Sequence, residues 1–128
     1  MVEAIRTQGV TQAFASPAVW DRVGRQAGVD SRDFESLKQV FSAGAPVPLD
    51  VIARLTQILP ADGDIHTPYG ATESLPICSI AGREILATTA EHSRRGGGTC
   101  VGRLFPGVRV KIIEIRDEPV AVLADVRE

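Results

Sequence analysis

The sequence has 128 residues, 44% of them hydrophobic, and a formal net charge of −2. That length holds one domain with a modest core. The apolar content excludes a disordered chain, and the near-neutral balance excludes a dedicated nucleic-acid binder, which needs a basic excess. No apolar run reaches about 18 residues, so no membrane span is expected. Residues 1–5 lack the basic and apolar regions of a secretion signal, and the expected location is the cytoplasm. Cys78 and Cys100 fit no metal or redox spacing and read as reduced, partly buried thiols.

In chain order, residues 2–8 predict a helix with Val2, Ala4 and Ile5 on its apolar side, ended by Gly9. Residues 10–15 are short and apolar, the pattern of a buried strand. Ser16-Pro17 opens a second helix, since the hydroxyl can cap and the missing proline N–H loses no bond in a first turn. Val19, Trp20, Val23 and Ala27 form its apolar face, with Trp20 as packing, and Gly28 closes it. Asp30, Arg32, Asp33 and Glu35 read as a surface turn. Residues 38–43 predict a second strand, running into Gly44-Ala45-Pro46. Residues 48–59 are the clearest helix, striped by Leu49, Ile52, Leu55 and Leu59 and stopped by Pro60 and Asp62-Gly63.

Residues 65–69 suggest a third strand that Pro68 weakens, 76–80 another short strand, and 83–89 a weak helix. Arg94-Arg95-Gly96-Gly97-Gly98-Thr99 lacks the spacing and closing lysine of an anion-binding loop and reads as a solvated connector. Residues 108–115 are β-branched and partly alternating, which predicts a strand, with 120–123 as its hairpin partner. The whole is an α/β arrangement: a partial parallel sheet with flanking helices over residues 1–99, then a β-rich segment over 100–128 that begins a second subdomain.

Ligands of parallel sheets sit in the loops beyond the carboxyl ends of the strands. Two loops qualify, at residues 42–46 and 69–73. In the second, Tyr69 offers a ring on which a base can stack, Gly70 allows close backbone approach, and Thr72 supplies a hydroxyl for a phosphate oxygen. Glu73 supplies the hard carboxylate that Mg²⁺ accepts beside phosphate oxygens and water. The side-chain-poor Gly44-Ala45-Pro46 turn would let a planar base lie against backbone. His66, just ahead of this loop, reads as packed or solvent-facing.

Together these motifs resemble the adenylate-forming superfamily of acyl- and aryl-CoA synthetases, nonribosomal-peptide adenylation domains and luciferases. Tyr69, Gly70, Thr72 and Glu73 match every fixed position of its Tyr-Gly-x-Thr-Glu signature, and Gly44, Ala45 and Pro46 match its upstream turn. Residues 101–108 are similar to its Gly-x-Pro-x-Pro-Gly stretch, with Leu104 near where a first proline is common. The context from His66 to Pro76 is similar to one branch, the β-lactone synthetases of bacterial long-chain olefin biosynthesis, which use ATP to activate a β-hydroxy acid.

The resemblance implies that Gly44, Ala45 and Pro46 line one side of the adenine while Tyr69 stacks on the other. It implies that Thr72 binds the α-phosphate and Glu73 helps hold Mg²⁺. The partners it implies are ATP or AMP, a fatty or β-hydroxy acid and, in a larger parent, CoA. It further implies that a phosphate loop lies upstream of this stretch, with a ribose-binding Asp and a lid lysine downstream. A fragment of the large N-terminal domain without those groups would turn over little or nothing, and its exposed apolar edges would favour a homodimer. The alternatives are a non-catalytic nucleotide-binding module and a purely structural, self-associating fragment.

Overall fold

The computed structural model describes residues 1–26, 28–115, 117, 119, 120 and 122. Helix α1 (Val2–Gln8) leads into strand β1 (Gln12–Ala15), helix α2 (Pro17–Gly24), a 3₁₀ turn at Ser31–Phe34 and strand β2 (Gln39–Ser42). Helix α3 (Leu49–Ile58) then leads to β3 (Asp64–His66). The three strands form a parallel sheet in the order β1-β2-β3, so both crossovers step the same way. Right-handed crossovers stepping in one direction place their helices on one face. Accordingly α2 and α3 pack against each other over the sheet.

The buried face carries Ala15, Val40, Ser42 and Ile65, which meet Trp20 and Val23 from α2 and Val51, Ile52 and Leu55 from α3. The alternate residues face the other way. Phe14, Phe41 and His66 stand in register across the three strands, with Phe14 64% exposed. The rings of Phe41 and His66 are 5.5 Å apart, so His66 is half-buried against an aromatic neighbour.

A second, antiparallel sheet of order β4-β5-β6 is built from β4 (Tyr69–Ala71), β5 (Ser74–Ser79) and β6 (Arg103–Leu104). Between β5 and β6 lies one helical run: α4 (Gly82–Glu84), a π-helical turn at Ile85–Thr89, and α5 (Ala90–Arg94).

The structure corrects several expectations. The third strand ends at His66 instead of Tyr69, because Pro68 has no N–H for a ladder and Thr67-Pro68 carries the chain out of the first sheet. Its continuation, β4, belongs to the second sheet. Strand β5 starts at Ser74, two residues ahead of the stretch at 76–80, because it folds back directly on β4. Helix α2 stops at Gly24 instead of running to Gly28. Gly24 is a poor helix former, and the Arg54 side chain lies across it where a Cβ would stand 2.9 Å away. Ala27, assigned to that helix face, lies outside the described residues.

The helix foreseen at 83–89 is longer, since Ile85 and Ala90 bury themselves and carry the run to Arg94. Residues 108–115 are not a strand: they have no ladder partner among the described residues, and Ile112 and Ile115 are exposed. An isolated alternating segment has nothing to pair with its N–H and C=O groups. Of the partner assigned at 120–123, Ala121 and Leu123 lie outside the described residues, and Val120 and Val122 are unpaired. In residues 100–128 the described strand is the short β6. Among the described residues no helix is long and apolar enough to cross a membrane.

Trp20 is the anchor of this core. Its side chain is fully buried, and its indole N–H donates to the Phe41 carbonyl at 3.0 Å. Trp20→Phe removes that donor and leaves the Phe41 carbonyl short of this partner, an expected loss of about 1 kcal/mol. Urea unfolding followed by circular dichroism checks it; an unchanged midpoint would mean the bond contributes nothing.

Candidate functional site

The site grows out of the carboxyl end of β2. There the backbone leaves the sheet through Ala43 and Gly44, and Gly44 has φ +91°, a left-handed conformation that any side chain would strain. The bend passes Ala45 and Pro46 and returns to the fold at Val47, which is buried at the foot of α3. Beside it, β3 gives way to Thr67-Pro68, and Tyr69, half-exposed, heads β4.

Residues 69–73 are not one loop. Tyr69–Ala71 is strand, and Thr72-Glu73 is the two-residue turn joining β4 to β5. The ladder pairs Ala71 with Ser74 and Tyr69 with Cys78, so β5 carries two extra residues between those pairs. Pro76, which cannot donate to a ladder, lies in that irregular stretch. The bulge pushes the chain against Gly70: a Cβ there would stand 2.5 Å from the Ser74 carbonyl oxygen and 2.8 Å from Leu75 Cδ1. Only glycine fits this close approach.

These pieces enclose a single open cavity of about 620 Å³. Gly44, Ala45 and Pro46 form part of its wall, and Tyr69, Gly70, Ala71 and Thr72 another part. Six of the seven residues singled out in the sequence are therefore brought together. Glu73 is not on that wall; it is exposed at the hairpin tip, next to Thr72. Among the described residues no group of three His, Cys, Asp or Glu side chains is placed to hold a metal ion.

Sequence reasoning missed three other contributors. Phe14, from the exposed row of the parallel sheet, and Leu75, from the bulge, add apolar surface. Thr99, Cys100 and Val101 close another side, so the glycine-rich connector delivers cavity wall as well as length. Its arginines are not aimed at an anion: Arg94 and Arg95 pair with Glu91 at 3.5 and 2.9 Å. The signal for Thr99–Val101 was the stretch at 101–108, which marked the region without marking these side chains. Both thiols are free, and burial, with the neighbouring Cys100, pushes the Cys78 thiol above its ordinary value.

This fold is that of an enzyme class. The family profile described as "AMP-binding enzyme" matches residues 1–124, and the chain belongs to that family. It is similar to the olefin beta-lactone synthetase of Stenotrophomonas maltophilia, with 45% identity over 119 residues, 93% of this chain and 21% of that protein. The olefin beta-lactone synthetase of Xanthomonas campestris pv. campestris is 42% identical over 125 residues, 98% of this chain and 22% of that protein. Among solved structures, the amide bond synthetase McbA of Marinactinospora thermotolerans superposes with a TM-score of 0.67 and 26% identity, over 88% of this chain and 21% of that one. The chain thus spans about a fifth of the length of these relatives.

Ser42, at the end of β2, is 1% exposed, and its Oγ has no hydrogen-bond partner. A buried hydroxyl without a partner costs about 1–3 kcal/mol. Ser42→Ala is therefore expected to leave the melting temperature of the ligand-free chain unchanged or raise it. Differential scanning calorimetry checks this, and a clear drop would show that the hydroxyl is satisfied in solution.

Proposed function

We propose that this stretch is the base- and α-phosphate-gripping segment of an ATP-dependent acyl-adenylate-forming ligase, which joins a carboxylate to AMP with release of pyrophosphate. The observation that carries the reading is the common cavity of the Gly44-Ala45-Pro46 bend and the Tyr69–Thr72 strand end. A planar base fits between a side-chain-poor backbone turn and an aromatic ring. Gly44 has nothing within 4 Å of where a Cβ would stand, which leaves the bend open to a flat ligand. In this reading Gly44, Ala45 and Pro46 line the adenine, Tyr69 stacks on it, and the Thr72 hydroxyl donates to the α-phosphate.

Glu73 would hold Mg²⁺ together with phosphate oxygens of the nucleotide, the pattern expected where the protein offers one carboxylate. The ion would supply neutralisation of the phosphate charge. The attacking group is the substrate's own carboxylate, so no protein nucleophile is required. The similarity to two olefin beta-lactone synthetases favours a fatty β-hydroxy acid as substrate, with an internal hydroxyl in place of CoA or a carrier thiol as the second nucleophile. Residues 100–128 would begin a β-rich subdomain, and the enzyme would work in the cytoplasm. The chain by itself would turn over little or nothing, because positioning and charge stabilisation need further donors and cations.

Calorimetry with ATP and Mg²⁺, on this chain and on a longer protein that contains it, tests the reading. Tyr69→Ala is expected to weaken nucleotide binding about 5- to 150-fold, the worth of one base–aromatic stack. In the longer protein, Thr72→Ala is expected to slow pyrophosphate release about 10-fold or more, as loss of one hydrogen bond to a charged group implies. Nucleotide affinity indifferent to both changes would overturn the proposal.

The exposed Phe14 and the open edge of β1 favour self-association of the isolated chain. Size-exclusion chromatography with light scattering should give a dimer, and a monomer at high concentration would exclude it.

A further inference from the structure

Behind the main cavity lies a second, smaller recess of about 40 Å³. Leu49, Ile52 and Ile85 give it an apolar side, and Thr67, Ser93 and Thr99 bring three hydroxyls to it. Val47, Thr67, Thr99 and Cys100 line both spaces and stand between them.

The shared residues fix where the recess lies. Val47 directly follows the Gly44-Ala45-Pro46 bend, and Thr67 stands two residues ahead of Tyr69. Bend and ring are the two broad faces of the base slot, so Val47 and Thr67 belong to the wall at its end. A flat ligand held by its faces presents an edge to that wall, and the recess is directly behind it.

Ser93 lines the recess but not the main cavity. It is brought there by the π-helical turn at Ile85–Thr89, in which the Ala90 N–H, five residues on, donates to the Ile85 carbonyl. The wider turn puts Ala90 in the core below Ile85, and Ser93 follows three residues later on the same side of α5. Turns of this kind are rare and concentrate at functional sites.

A buried water needs roughly 10–15 Å³ of such space and two to four polar partners. The recess has the room, and its hydroxyls are the partners. Thr67 Oγ1 donates to the Ile80 carbonyl at 3.3 Å, which leaves its oxygen able to accept. A water bridging two polar groups is nearly as favourable as a direct hydrogen bond.

We propose that the recess seats one water molecule, through which Ser93 reads the hydrogen-bonding edge of the base in the main cavity. The inference rests on the proposed function, because it takes a base between the bend and Tyr69 as given. Ser93 is then a positioning residue for base selection, one layer behind the wall. The roles of Thr72 and Glu73 toward the phosphate and Mg²⁺ are separate from it.

The test is calorimetry on the longer protein with AMP and with purine riboside monophosphate, which lacks only the exocyclic amino group of AMP. The unchanged protein is expected to prefer AMP about fivefold, the worth of one net neutral hydrogen bond. Ser93→Ala suits a helix and should leave the melting temperature unmoved. It is expected to weaken AMP about fivefold and leave the analogue's affinity as it was, so that the preference disappears. An equal loss for both ligands is a structural effect and overturns the inference, as does no loss for either. In both cases the proposed function stands if Tyr69→Ala still weakens AMP. Failure of both ligands to bind the unchanged protein overturns both readings.

Discussion

The hydrogen bond from the Trp20 indole to the Phe41 carbonyl anchors strand β2 near its carboxyl end. It ties the first crossover helix to the central strand one residue before Ser42, at the sheet's carboxyl edge. The backbone beyond that point has no ladder neighbour and must turn, and Gly44 lets it do so in a left-handed conformation. The bend, with its cavity wall at Gly44–Pro46, and the start of α3 at Leu49 lie directly beyond that point. A core tryptophan is thus one bond away from the site, although it does not itself line the cavity.

The first two strands and first three helices were legible because each carries a local signal. Proline stands at the start of α2, the leucine and isoleucine stripe runs through α3, and short apolar runs mark β1 and β2. The Tyr69–Glu73 signature was legible as a motif but misread as shape. A five-residue polar stretch after a strand looks like a loop, and nothing in its composition says that its first three residues pair with a strand still to come. That pairing is set by tertiary context, the usual override of local pattern. Residues 108–115 failed in the opposite direction: their alternation is real, but alternation without a partner does not make a strand.

Cavity wall from Phe14, Leu75 and Thr99–Val101 was invisible for a related reason. Each of these residues looks ordinary in its own segment. Phe14 belongs to a strand, Leu75 to a run containing a proline, and Thr99 to a glycine-rich connector. They meet because two sheets and a returning chain converge at one edge, and single-segment periodicity contains no term for convergence. The family resemblance pointed to Gly44–Pro46, Tyr69, Gly70 and Thr72 by position, and the structure brings them to one cavity.

The two turns around this cavity differ in how much change of length they can absorb. Between β4 and β5 the chain reverses in two residues, with Gly70 already jammed against Ser74 and Leu75. One inserted residue there would shift the β4–β5 register and displace Thr72 from the cavity wall. In the connector from Arg94 to Thr99, Gly97 is held against His92, while Gly96 and Gly98 meet nothing where a Cβ would be. Proteins that share this architecture should therefore differ in length on the connector side and hold the hairpin to a fixed count.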